Sequence, residues 1–233
     1  TVKNTIFGAG TTLSCIPIVP STYEELIEQT RIAVEKGPDI IEWRVDFYHQ
    51  AWNVAEVKSA LRSIFPLVGE IPIIFTFRHI CEGGYKEYPQ DVRLEVICKC
   101  LDSNLISLVD IESCNEASFI SAVRQAAHDH GAKLILSHHN FKETPSEEFI
   151  IQQLKEAEVL GADIPKLAAM PTDFNDVLTL MRATYRARTS YVSKPMITMP
   201  MGELGKITRV IAPLYGSDMT FVVGQKGSAP GQI

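Results

Sequence analysis

The sequence predicts a closed (β/α)8 barrel, and three observations carry that expectation. Short β-branched apolar runs alternate with longer stretches whose charges recur at helical spacing, eight of the former and seven of the latter in 233 residues. Runs such as Ile71-Pro-Ile-Ile-Phe and Lys133-Leu-Ile-Leu are almost continuously apolar, as parallel strands are when helices cover both faces of the sheet. Finally, no GxGxxG follows the first run and no GxxxxGK[ST] occurs, so the usual nucleotide-binding signatures of open doubly wound sheets are missing. An open sheet is the alternative architecture.

The elements follow in order. Val2 to Gly10 reads as a short hairpin arm that closes the bottom of the barrel. The first strand spans Thr12 to Val19 and the first helix Thr22 to Glu35, opened by Ser21 or Thr22 ahead of Glu24-Glu25 and stopped by Gly37. A strand over Asp39 to Val45 precedes a helix over Val54 to Ile64, and one over Ile71 to Phe77 precedes a helix over Pro89 to Leu101. Leu105 to Ile111 leads to a helix from Glu116 to His130, ended by Gly131. Lys133 to Ser137 leads to Ser146 to Leu160, which starts at Pro145-Ser146 ahead of Glu147-Glu148 and stops at Gly161. Asp163 to Ala168 is followed by Phe174 to Ala187, behind a capping Asp173. Pro195 to Met199, a shorter helix around Leu204 to Ile211, and Met219 to Val223 complete the series. About ten residues follow the last run, so the eighth helix of a full barrel is not expected within this sequence. With no internal repeat beyond the βα unit and no Gly/Ser-rich linker, residues 1–233 read as a single domain.

Composition narrows the function. With 22 Lys+Arg against 28 Asp+Glu, the net charge of −6 lacks the basic footprint of a nucleic-acid binder. No apolar run reaches the ~18 residues of a membrane span and the N-terminus carries no signal-like segment, so no membrane partner is expected. The cysteines Cys15, Cys81, Cys98, Cys100 and Cys114 are odd in number and form no CxxC, which fits reduced thiols and a cytoplasmic setting. Cys98-Lys99-Cys100 matches no structural zinc spacing, and no metal is expected.

In a barrel the chemistry sits at the C-terminal ends of the strands. There, alternation puts Glu42, Arg44 and Asp46 on the lumen face, opposite Ile41, Trp43 and Val45. The third run ends Thr76-Phe77-Arg78 and enters a loop containing Glu82-Gly83-Gly84. The fifth ends Ser137-His138-His139-Asn140, and the sixth carries Lys166 among Ile, Leu and Ala. A lysine stripped of water holds its proton less tightly, and neutral amine attacks carbonyls. Taken singly, Lys166 also fits a snorkelling strand-end lysine, His139 a satisfied core imidazole, and Arg209 a solvated helix arginine. Together, an amine, an imidazole, a carboxylate and the arginines Arg44, Arg78 and Arg209 describe Schiff-base chemistry on an acidic metabolite.

Six segments extend this over nearly the whole chain: Glu42-Trp43-Arg44-Val45-Asp46, Thr76-Phe77-Arg78 with Glu82-Gly83-Gly84, His139-Asn140-Phe141 before Thr144-Pro145, Gly161-Ala162-Asp163-Ile164-Pro165-Lys166, Ile197-Thr198-Met199, and Ser228-Ala229-Pro230-Gly231-Gln232. In their order and spacing the sequence resembles the type I 3-dehydroquinate dehydratases, the Schiff-base class of the third shikimate-pathway enzyme. The resemblance implies an imine between Lys166 and the C3 ketone of 3-dehydroquinate, with His139 moving the protons and Glu82 orienting it. It implies further that Arg209, Ser228 and Gln232 bind the substrate carboxylate and that Glu42, Arg44 and Arg78 bind ring hydroxyls. Met199, Met201 and Phe221 would wall the ring. A mobile loop around Ser228 with Gly224, Gly227 and Gly231, a homodimer, and no cofactor are also implied. One departure is Pro17, in a region where some relatives carry a hydroxyl. Two other readings stay open: a class I aldolase, which the lack of a Gly-rich phosphate cradle late in the chain disfavours, and a non-catalytic metabolite-binding barrel, which predicts loss of Lys, His or Glu.

Overall fold

The computed structural model describes residues 1–225 and 229–232. Its strands are β1 Leu13–Ile18, β2 Ile40–Arg44, β3 Ile73–Thr76, β4 Leu108–Glu112, β5 Lys133–Asn140, β6 Ile164–Ala169, β7 Ile197–Pro200 and β8 Met219–Phe221. Between them run α1 Tyr23–Glu35, α2 Val54–Val68, α3 Gln90–Leu101, α4 Ala117–Asp129, α5 Glu147–Val159, α6 Phe174–Ser190 and α7 Lys206–Tyr215. All ladders are parallel and the strand order is β7-β6-β5-β4-β3-β2-β1-β8, so the sheet winds into the expected (β/α)8 barrel.

Local chemistry explains the helix starts. Thr22, Asn53, Ser146 and Asp173 each accept a backbone N–H of the first turn with their side chains. Three helices outrun the sequence expectation: α6 continues to Ser190, α2 through Pro66 and α7 through Pro213. A proline this near the C-terminus costs one N–H bond, and buried Val68 and Tyr215 hold the last turns against the barrel. β2 ends one residue early, at Arg44, and Val45–Phe47 forms a 3-10 turn. β5 runs on to Asn140, since pairing of His139 with Ala168 and Asn140 with Ala169 gives its polar end a partner strand.

The two faces of the strands feed two cores. Leu13, Ile40, Ile74, Leu108, Ile135, Ile164, Ile197 and Met219 pack inside the barrel, while Ile41, Trp43, Phe75, Val109, Ile111 and Leu134 pack outward under the helices. At the bottom, Val2 and Thr5 exchange two backbone hydrogen bonds at 2.8 and 2.9 Å, and Val2 and Phe7 bury against the inner layer. The N-terminal arm therefore closes the bottom, and Lys3 Nζ ties it to the Gly69 and Ile71 carbonyls at 2.9 and 3.3 Å.

Among the described residues no ladder joins β7 to β8; the seam is closed by the segment between α7 and β8. Asp218 donates its N–H to the Met196 carbonyl at 2.9 Å and accepts the Met196 N–H on its carboxylate at 2.8 Å. Ser217 accepts from Thr198 N–H at 2.9 Å and donates to the Thr198 carbonyl at 3.0 Å. No helix follows β8 among the described residues, and α7 leaves Ile207, Val210 and Leu214 exposed. No described helix is long and apolar enough to cross a membrane, and all five cysteines are free thiols.

Candidate active site

Two residues further up each strand, the lumen changes character. Above the apolar bottom layer come Glu42, Thr76, Asp110, Ser137 and Lys166, and above those Arg44, Arg78, Glu112 and His139. Period-two geometry forces this, because a residue two places on points into the same lumen one layer higher. A cavity of about 100 Å3 opens above these layers, lined by Lys166, His139, Glu82, Arg44 and Arg209 together with Met199, Met201 and Phe221.

Lys166 is buried, with Nζ 2.7 Å from Asp110 Oδ2 and 4.7 Å from the centroid of the Phe221 ring. The sequence argument surrounds this lysine with apolar neighbours; the fold instead supplies a carboxylate from β4, 56 positions away in the chain. That carboxylate also accepts Arg78 Nη1 at 2.8 Å and Ser137 Oγ at 2.7 Å. Burial works to raise the pKa of Asp110, but the charges of Arg78 and Lys166 outweigh it and hold the group well below the usual carboxylate range. Arg78 reaches Glu112 as well, at 2.8 Å, and Glu112 is also bound by Arg93 at 2.7 Å.

His139 lies against Glu82. The carboxylate takes the His139 backbone N–H at 2.8 Å and its Nδ1 at 2.9 Å, both on Oε2. Desolvation, with the positive charges of Arg78 and Lys166, pushes the imidazole well below its ordinary pKa. Burial, with the nearby Glu112, raises Glu82 to about 7. A neutral imidazole donating Nδ1–H to Glu82 leaves Nε2 as a proton acceptor. Glu82 sits in a 3-10 turn, Ile80–Glu82, whose following glycines are there for space: a Cβ on Gly83 would lie 2.7 Å from the Phe141 ring, and one on Gly84 2.6 Å from the Arg78 carbonyl.

Arg209 differs from the other cations. It is buried on α7, and its guanidinium donates to the Phe221 carbonyl at 3.3 Å and the Pro230 carbonyl at 3.5 Å, while its Nε has no partner. Desolvation lowers its pKa to about 10. Among the described residues no carboxylate pairs with it, so the cavity holds an uncompensated positive charge.

The sequence model of the type I 3-dehydroquinase family matches residues 14–233. The chain belongs to that family. It is similar to a 3-dehydroquinate dehydratase of Klebsiella pneumoniae subsp. pneumoniae, 42% identical over 233 residues that cover all of this chain and 93% of that protein. It is similar in structure to a type I 3-dehydroquinate dehydratase of Clostridium difficile, solved with covalently modified comenic acid, at TM-score 0.96 and 37% identity, covering 100% of this chain and 91% of that one. A 3-dehydroquinate dehydratase of Geobacillus kaustophilus gives TM-score 0.97 at 36% identity, covering 100% and 90%.

Of the residues that the sequence singles out, Lys166, His139, Glu82, Glu42, Arg44, Arg78, Arg209, Gln232, Met199, Met201 and Phe221 gather around one cavity. Ser228, and with it the loop reading that includes Gly227, lies outside the described residues. Asp46 is buried in the 3-10 turn, where its carboxylate grips Arg44 at 2.8 and 2.9 Å and accepts the Tyr85 N–H at 2.9 Å. Sequence reasoning passed over Asp110, Glu112, Ser137 as a lumen group, and Phe141, whose ring stacks near His139. The signal for the first two was present: the alternation that selects Glu42 and Arg44, applied to Leu108–Glu112, selects Asp110 and Glu112. Among the described residues no group of three His, Cys, Asp or Glu side chains is placed to hold a metal.

Proposed function

We propose that this chain removes water from 3-dehydroquinate to give 3-dehydroshikimate, the third step of the shikimate pathway, through an imine on Lys166. The observation that carries the reading is the meeting of Lys166, the His139–Glu82 pair and the unmatched Arg209 in one cavity.

The chemistry divides among these groups. Lys166 gives up a proton and its nitrogen adds to the C3 ketone; loss of the carbonyl oxygen as water leaves a protonated imine, an electron sink that acidifies the adjacent C–H. His139 takes the C2 proton at Nε2, forming an enamine, and returns a proton to the C1 hydroxyl as it departs as water. One base serving both ends on one face makes the elimination syn. Water then hydrolyses the product imine and frees Lys166. Glu82, accepting Nδ1–H at 2.9 Å, keeps His139 in the tautomer that exposes Nε2 and balances the imidazolium when it forms. Arg209, with Ser228 and Gln232, receives the substrate carboxylate; its single charge is the natural seat for an anion in a dry pocket. Glu42, Arg44 and Arg78 face the ring hydroxyls, and Met199, Met201 and Phe221 wall the ring. The same reading makes the protein a cytoplasmic homodimer that needs no cofactor and takes neither nucleic acid nor membrane as partner.

The test is intact-mass spectrometry after incubation with 3-dehydroquinate and borohydride, which reduces an imine to a stable amine. A ligand-dependent mass gain mapped to the Lys166 peptide is expected. Ligand binding without any adduct would overturn the mechanism.

A further inference from the structure

Asp110 stands in the middle layer of the lumen, and no role proposed above uses it. Its two oxygens are divided: Oδ1 accepts Arg78 Nη1 at 2.8 Å and Ser137 Oγ at 2.7 Å, and Oδ2 faces Lys166 Nζ at 2.7 Å. Both side chains of the Lys166 pair are almost wholly withdrawn from water, 4% and 1% exposed, so the attraction is little screened. The two bonds on Oδ1 orient the carboxylate, and the oriented carboxylate holds the amine.

We propose that Asp110 is the fixed counter-ion of the reacting nitrogen: it positions Lys166 before substrate arrives and stabilises the positive charge that the nitrogen carries as an imine. The inference rests on the imine reading above and adds a residue to it. The charge balance of that step supports it. An ammonium and a ketone become a protonated imine and water; the nitrogen loses two protons, the carbonyl oxygen leaves with both, and the nitrogen carries one positive charge before and after. An anion fixed beside it is matched at both ends and unmatched only in the neutral amine and enamine stages. Stabilising the protonated imine over the neutral one keeps the electron sink in its effective form. The role is not that of a base. Arg78 and Lys166 hold the carboxylate ionised, and Oδ1 is already occupied by two donors, so the proton traffic falls to Nε2 of His139.

The experiment compares wild type, Asp110→Asn and Asp110→Glu by adduct formation with 3-dehydroquinate and cyanoborohydride, which reduces the protonated imine, across neutral and alkaline pH. kcat and KM are measured alongside. For Asp110→Asn the adduct yield should collapse on the alkaline side, where wild type keeps it. Its kcat should fall about 100-fold with KM within about threefold, since Asp110 lies behind the cavity wall and not in it. Asp110→Glu retains the charge but moves it by a methylene, so it should keep the alkaline adduct and lose about tenfold in kcat. A wild-type pH profile of adduct formation in Asp110→Asn overturns the counter-ion role. If Asp110→Asn does not fold, Asp110→Glu decides: wild-type kcat in that variant overturns the positioning role. Failure of wild type itself to form any adduct would instead sink the imine reading, a separate result.

Discussion

The mouth of the barrel is built from two arcs that follow opposite rules. From β2 to β5 its cations are matched inside the protein, Arg44 with Asp46, Arg78 with Asp110 and Glu112, and Arg93 with Glu112, while the His139 imidazole hydrogen-bonds Glu82 and Glu42 accepts the Thr76 hydroxyl. From β6 to β8 the wall is Ala168, Met199, Met201 and Phe221, and its cation, Arg209, pairs with no carboxylate among the described residues and donates to carbonyls and a thioether. Lys166 lies at the boundary, with Asp110 of the first arc on its nitrogen and the Phe221 ring of the second nearby. The matched arc is organised before any ligand enters, so its groups are positioned in advance. The unmatched arc is left with one positive charge among the described residues, the seat that the proposed function gives to the substrate carboxylate.

The comparison can be broken or sharpened by substitution. The largest effect belongs to the boundary: Lys166→Ala should abolish both turnover and adduct, whereas His139→Ala should abolish turnover yet still form the adduct slowly, as borohydride trapping would show. Full activity in Lys166→Ala would leave the mechanism without a nucleophile. Next comes the matched arc. Removing one partner of a buried network strands the others, so Arg78→Met should lower unfolding free energy by roughly 3–5 kcal/mol in urea titrations. Arg209→Gln should instead cost little stability and raise KM about 100-fold, since its guanidinium strands no carboxylate when removed. Equal stability losses at Arg78 and Arg209 would erase the distinction between the arcs.

The smallest effect concerns Glu82, where the two requirements conflict. Burial raises this carboxyl from 4.5 to about 7, so the folded protein binds its proton more tightly than the unfolded chain does. The stabilising contribution is complete below about 4.5 and is lost as pH rises through about 7, where the ionised form carries the desolvation penalty. Glu82→Gln should therefore be more stable than wild type above that range by roughly 1–3 kcal/mol, converging at acid pH, and thermal melts against pH measure it. The same variant should be slower at every pH, because an amide cannot balance an imidazolium, and should lack the acid limb near neutrality that titration of Glu82 is expected to give wild-type kcat.

Much of this was legible in the chain before folding. Eight strands alternating with seven helices, caps at Thr22, Ser146 and Asp173, and the polar residues spaced by two at Glu42 and Arg44 follow from local chemistry, since periodicity and capping act within one turn or one strand. Lys166 stood out because a charge in an apolar strand is rare. The partners were not legible. Asp110 is 56 residues from Lys166, and only the β4–β5–β6 order with its register brings them to one height in the lumen. Arg209 reads as a solvated helix residue until α7 packs across the seam and buries it. By itself, then, the sequence determined the alternating elements, the family, and which residues could carry chemistry, because those depend on neighbours a few positions away. Tertiary structure alone decided which charges are matched and which one is left for a ligand, because pairing across a barrel depends on strand order and stagger, which no local pattern encodes.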